Sequence, residues 1–221
     1  DVGVHRQAER PRPDLLDARS PAAIEVFQLT DEPDVPSSHV YMEAQVFTPD
    51  SRRLLLHRSA HPHGSDQHDP RHRYLVCDLT DACRLAPITH EIGATAPSLS
   101  PDGSALYYLV NETEPGGGRL TLKRVALDGT GRETLLVLDA PFPGTDYFPS
   151  QLYPLSTISS DGARFAAAPS WAARRWPARP SGCWYSTWRR RRSSWCWSAR
   201  PGATCTRSIA APATPPTPAT S

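Results

Sequence analysis

Two residues near the start of the chain are well suited to acid-base and carboxylate chemistry. His39 lies just before the first apolar hairpin, in a polar run with Tyr41 and Gln45. A neutral imidazole can accept a proton near neutral pH, so His39 is the candidate general base, and Tyr41 and Gln45 are candidate substrate contacts. Arg58 follows the second strand and can bind a sugar carboxylate through two parallel N–H donors. The ordinary alternatives are that His39 caps a strand and that Arg58 is a surface charge.

Five histidines fall within one stretch of 16 residues: His57, His61, His63, His68 and His72. His61 and His63 are close enough along the chain to share a transition metal, because neutral imidazoles beside carboxylates bind such ions. They are therefore the candidate metal ligands. The same composition is also typical of a solvated polar loop whose histidines bind nothing.

The candidate residues lie beside the first copy of a β-hairpin that is repeated along the chain. An apolar strand, a turn containing Asp and a second strand recur at Val46–Leu56, Pro97–Tyr108 and Leu155–Phe165. The turn aspartates are 52 and 59 residues apart, which is propeller-blade spacing, and two further short strands follow the first two hairpins. The sequence therefore predicts an all-β fold, a partial β-propeller of about three four-stranded blades. An ordinary β-sandwich is the alternative.

Composition changes abruptly along the chain. All 23 acidic residues lie at or before Asp161, and all six Trp lie after it. We expect an irregular leader over 1–22, the propeller over 23–168 and a disordered, low-complexity tail rich in Arg, Trp and Pro over 169–221.

A change of reading frame near Ala168 explains this tail. Back-translated out of frame, residues 180–199 give a strand, an acidic turn and a strand, which are the elements expected for the third blade. On this interpretation the chain is a truncated piece with an out-of-frame tail. The alternative is a genuine basic tail that binds nucleic acid through its Arg and Trp residues, but we expect no nucleic-acid partner.

Other sequence signals narrow the functional classes. No run of 18 apolar residues occurs, so we expect no transmembrane helix and no membrane partner. The start of the chain lacks a secretory-signal pattern and the five Cys lack paired spacing, which favours a cytoplasmic location. Neither a phosphate-binding glycine loop nor a G-x-S-x-G elbow is present, so spacing alone indicates no reaction.

Two segments carry a resemblance to a known family. The run Ser38–Asp50, followed by Ala96–Gly103, resembles the oligogalacturonate lyases of pectin breakdown, and the Pro-Asp-Gly hairpins resemble blades of TolB and WD40-like propellers. The resemblance implies a seven-bladed propeller with a divalent metal, typically manganese, that cleaves short oligogalacturonides by β-elimination. In that chemistry the neutralised uronate carboxylate acidifies the C5 proton, a base removes it, and the C4–O bond breaks. The metal ligands of the family lie in later blades, so the resemblance assigns no ligand in this chain.

The sequence thus predicts a fragment of an oligogalacturonate-lyase-like propeller with an oligogalacturonide as its ligand. We expect the fragment to be inactive by itself, because three blades leave the central channel incomplete and strand edges unpaired. The alternative function is that of a non-catalytic TolB-like or WD40-like propeller that serves as a protein-binding scaffold.

Overall fold

In a computed structural model, the chain forms three four-stranded antiparallel sheets, which follow one another in the sequence. The structure describes residues 10–32, 35–40, 44–58, 67–112, 118–173, 186–191 and 194–198. We call the sheets blades 1, 2 and 3, because each is a meander of consecutive strands. Within the described residues, no helix is long and apolar enough to cross a membrane.

The strands follow one another along the chain without crossovers, after a small N-terminal hairpin. That hairpin pairs β1 (Arg10–Pro11) with β2 (Phe27–Gln28). Blade 1 contains β3 (Ser37–His39), β4 (Arg53–Arg58), β5 (Arg73–Asp78) and β6 (Arg84–Pro87). Blade 2 contains β7 (Ala94–Leu99), β8 (Ala105–Asn111), β9 (Leu120–Ala126) and β10 (Glu133–Leu138). Blade 3 contains β11 (Tyr147–Ile158), β12 (Arg164–Ala173), β13 (Ser186–Arg191) and β14 (Ser194–Ser198). The predicted all-β fold of about three four-stranded blades is confirmed.

The repeated turn has the same hydrogen bonds in all three blades. A hydroxyl donates to the carboxylate two residues later, from Thr48 to Asp50 at 2.6 Å and from Ser100 to Asp102 at 2.5 Å. The same bond joins Ser159 and Asp161 in blade 3. Because the Asp side chain also accepts backbone N–H groups of the turn, each hairpin is closed by local interactions alone.

The blades pack face to face through apolar side chains that alternate along the strands. Leu55 and Val76 of blade 1 share a buried cluster with Leu106 and Val110 of blade 2. A second cluster joins the other face of blade 2 to blade 3, where Phe165 is fully buried. The period of two residues in each strand therefore gives blade 2 two buried faces.

The opposite face of blade 1 carries its own apolar cluster, which we call the outer face. Leu54, Leu56, Leu75 and Cys77 are buried there, and Leu29 of the N-terminal segment packs against them. This segment therefore contacts the side of blade 1 that does not contact blade 2.

Regular structure continues beyond residue 168, where the sequence predicts the start of an irregular tail. Strand β12 runs to Ala173, and Trp171 is buried with its ring edge-on to Phe142 at 5.6 Å between centroids. Beyond it, β13 pairs with β12 and β14 pairs with β13, which completes the third sheet. The physical reason is that β12 offers an open edge whose backbone groups need partners.

Candidate functional site

Two of the sequence-predicted residues, His39 and Arg58, lie at one end of blade 1. This end lies opposite the hairpin turn at residues 49–52 and contains β3, the end of β4 and the start of β5. Ser37 pairs with Arg58, and His39 pairs with Leu56. Because directly paired residues in antiparallel strands project to the same face, His39 and Arg58 share the outer face, two positions apart in register.

Arg58 is held by two side chains on that face. Its Nη2 atom lies 2.5 Å from Glu32 Oε2, and its Nε donates to Ser37 Oγ at 3.2 Å. The side chain of Arg58 is 14% exposed and that of Glu32 is 29% exposed. The guanidinium is therefore already paired with a carboxylate, through one N···O contact rather than through the two parallel N–H donors that the sequence analysis considers for a substrate.

His39 is exposed, and its Nδ1 lies within hydrogen-bond reach of the carbonyl oxygen of Val40. A carbonyl oxygen can only accept, so Nδ1 donates and Nε2 of the neutral ring keeps its lone pair. In the neutral form of the ring, Nε2 is then the atom that can accept a proton.

The other face of the same strands carries two more histidines. The rings of His57 and His72 lie 6.0 Å apart, and His57 Nε2 lies 2.9 Å from the hydroxyl of Ser38. Burial, together with repulsion by His72 and then by His39, lowers the pKa of His57 from 6.5 to about 4. His57 is therefore uncharged at neutral pH. Tyr74 packs edge-on to His72 at 5.3 Å, and its burial raises its pKa above the ordinary value.

Three of the remaining predicted residues lie outside the described residues, namely Tyr41, His61 and His63. Gln45 is exposed, and its Nε2 donates to the carbonyl oxygen of Phe47 at 2.7 Å. Among the residues that the structure describes, no three His, Cys, Asp or Glu side chains lie close enough together to hold one metal ion.

Sequence reasoning missed Arg73 and Glu32 at this site. Arg73 is the direct partner of Arg58 across β4 and β5, and its Nη1 donates to the carbonyl oxygen of His72 at 2.5 Å. The two-residue period of β5 puts Arg73 on the face of Leu75 and Cys77, but the four residues from Tyr74 to Cys77 are all buried, so no alternation in the sequence marked that face. Nothing in the local pattern around Glu32 could have indicated its contact with Arg58, because 25 residues lie between them in the sequence.

A second polar cluster lies where blade 1 meets blade 2. Glu91 accepts hydrogen bonds from Tyr108 Oη, Lys123 Nζ and Arg132 Nη1, each at 3.1 Å, and Arg132 Nη2 donates to Ile88 O at 2.8 Å. Burial alone would raise the pKa of Glu91, but backbone N–H groups, Lys123 and Arg132 lower it to about 2. The pKa of Tyr108 is raised, chiefly by burial and by the charge of Glu91. The cluster thus links the connector between the blades to β8, β9 and the start of β10, and its Tyr is unsuited to act as a base.

The fold is shared with solved structures of oligogalacturonate lyases. The lyase of Vibrio parahaemolyticus matches 85% of this chain at 16% identity with a TM-score of 0.58. An oligogalacturonate lyase solved in complex with manganese matches 88% of the chain at 18% identity with a TM-score of 0.57. The chain covers 45% and 47% of these two structures, so it spans less than half of their length. At these identities the likeness establishes the fold.

Other comparisons add little to this result. TolB from Acinetobacter baumannii matches 78% of the chain and is itself covered over 34% of its length, at 15% identity with a TM-score of 0.47. The search against protein-family profiles found no match, and neither did the search against curated proteins.

Proposed function

We propose that this chain belongs to an oligogalacturonate-lyase-like propeller and that its blade 1 binds short oligogalacturonides. The observation that carries the proposal is the placement of His39 and Arg58 on one face and at one end of blade 1. The shared fold with the two solved lyases supports the choice of an acidic sugar as the ligand.

The two residues fit complementary parts of an elimination. A guanidinium that binds the uronate carboxylate withdraws electron density from C5, which acidifies the C5 proton. The lone pair of His39 Nε2 can accept that proton while the C4=C5 double bond forms and the C4–O bond breaks, and the leaving oxygen takes a proton from water. Arg58 would therefore bind and activate the sugar, and His39 would hold the proton.

The described residues do not fit a manganese centre, since no three suitable side chains lie together. The proposal therefore derives no step through a metal. Because the described blades match less than half of either lyase, we propose that this polypeptide binds the sugar without turning it over.

Titration of the purified chain with trigalacturonate in a calorimeter tests this function. We expect saturable binding, and we expect it to be lost when trigalacturonate is replaced by its methyl ester, which carries no charge. Ultraviolet absorbance of the unsaturated product, followed with and without Mn²⁺, should remain at the level of the buffer. Absence of any binding to trigalacturonate overturns the proposal, and binding of unrelated peptides instead would favour the scaffold function.

A further inference from the structure

Two arginines face each other directly across the central strands of blade 1. Arg58 of β4 and Arg73 of β5 are register partners, so both side chains leave the same face of the sheet. Side chains in such a pair start about 5 Å apart at Cβ, and like charges placed there repel each other. An anion that contacts both guanidinium groups would relieve this repulsion.

A carboxylate of the chain already occupies part of this position. Glu32 contacts Arg58 at 2.5 Å, and it follows Leu29, which packs on the outer face of blade 1. The N-terminal segment thus brings Glu32 into contact with Arg58, while the Arg73 guanidinium donates to the carbonyl oxygen of His72. The side chains are 14% and 29% exposed, so water and salt screen their attraction less than that of a fully exposed ion pair.

We propose that Arg58 and Arg73 together form a carboxylate site for an acidic sugar, and that Glu32 fills it as an internal competitor when the sugar is absent. This proposal rests on the proposed function. It adds Arg73 as a second sugar-binding residue and Glu32 as a side chain of the protein that occupies the site when no sugar is bound. Glu32 presents the same planar carboxylate as a uronate, so the incoming sugar exchanges one guanidinium–carboxylate contact for another. The apparent affinity for the sugar is then reduced by the fraction of molecules in which Glu32 is bound.

Substitution of the competitor gives the sharpest test. Glu32→Gln removes the charge and keeps the shape, so we expect trigalacturonate to bind at least about threefold more tightly than to the wild-type chain. A residue with only a structural role would not increase affinity when it is replaced. Unchanged or weaker binding in Glu32→Gln overturns the proposal.

Substitution of the arginines tests the site itself. We expect Arg58→Gln and Arg73→Gln each to weaken binding about tenfold or more, and Arg58→Lys to weaken it less, because it keeps the charge and loses the fork. Arg53→Gln is the matched control, since Arg53 lies at the other end of β4 and pairs with Asp78 at 3.8 Å. It should bind as the wild-type chain does. Thermal unfolding of every variant shows whether the fold is retained.

The binding measurements can refute the arginine site without refuting the proposed function. Equal binding of trigalacturonate by the wild-type, Arg58→Gln and Arg73→Gln chains would refute the arginine site while sugar binding stands. If neither the wild-type chain nor Glu32→Gln binds the sugar, both proposals fail.

Discussion

Pro49 in the turn of blade 1 lies directly over Gly103 in the turn of blade 2. A Cβ atom on Gly103 would stand 2.6 Å from Pro49 Cδ and 3.2 Å from Thr48 Cβ. Gly103 also has a φ of +69°, a left-handed conformation that side chains disfavour. The hairpin turns of neighbouring blades therefore pack closely only because this position has no side chain.

Gly103→Ala should consequently lower the free energy of unfolding by about 2–4 kcal/mol. The left-handed backbone contributes about 1–2 kcal/mol of this loss, and the overlap with Pro49 contributes the rest. Urea unfolding followed by circular dichroism measures it. Gly131→Ala is the control, because Gly131 has a φ of +60° but nothing within 4 Å of the added carbon. Equal losses in the two variants would show that the contact with Pro49 does not matter.

Ser51→Gly should stabilise the chain. Ser51 occupies in blade 1 the position of Gly103 and Gly162, with a φ of +58°. Relief of the left-handed strain outweighs the greater freedom of glycine in the unfolded chain, so we expect a gain of about 0.5–1 kcal/mol. Urea unfolding tests this gain against Ala163→Gly, which lies in the equivalent turn of blade 3 without a positive φ and should destabilise. A loss in Ser51→Gly would contradict the argument.

The blades were predictable because local interactions specify them. The Thr48–Asp50 bond and its counterparts close each turn within a few residues, and the same residue types recur in all three copies. Short-range chemistry of this kind is visible in a sequence. The placement of His39 beside the end of β4 follows from the first hairpin for the same reason.

The details of the candidate site were less predictable because they depend on register and on distant segments. That Arg73 faces Arg58 follows only from the pairing of β4 with β5, and the two strands are 14 residues apart in the sequence. Glu32 reaches Arg58 because Leu29 packs on the outer face of blade 1. Such tertiary contacts have no periodic signal in the sequence.

Glu91→Gln should weaken the joint between blades 1 and 2. The neutral amide leaves Lys123 and Arg132 without their carboxylate in a half-buried site, so we expect a loss of about 1–3 kcal/mol at pH 7. Because the folded-state pKa of Glu91 is lowered from 4.5 to about 2, its contribution is complete above pH 4.5 and is lost as pH falls toward 2. The wild-type chain should therefore lose stability more steeply across this range than the variant does.

Urea unfolding at pH 7, 4.5 and 3 provides the measurement for this joint. Glu133→Gln is the matched control, because Glu133 is exposed and pairs only with the exposed Arg124 among the ion pairs described. It should change stability by less than about 0.5 kcal/mol. If both variants lose the same amount, the cluster around Glu91 has no special role in the joint.

His57 should make the stability of the chain sensitive to mild acid. Its pKa is about 4 in the folded chain and about 6.5 when unfolded, so between these values the unfolded chain binds a proton that the folded chain does not. Stability contributed by the neutral ring is complete above pH 6.5 and falls as pH decreases toward 4, by at most about 1.4 kcal/mol per pH unit. His57→Gln, which cannot titrate, should flatten the dependence of unfolding free energy on pH in this window. His90→Gln, at an exposed histidine, is the control for the exchange of a histidine for glutamine. A slope that is the same in His57→Gln and the wild-type chain would mean that protonation of His57 does not oppose folding.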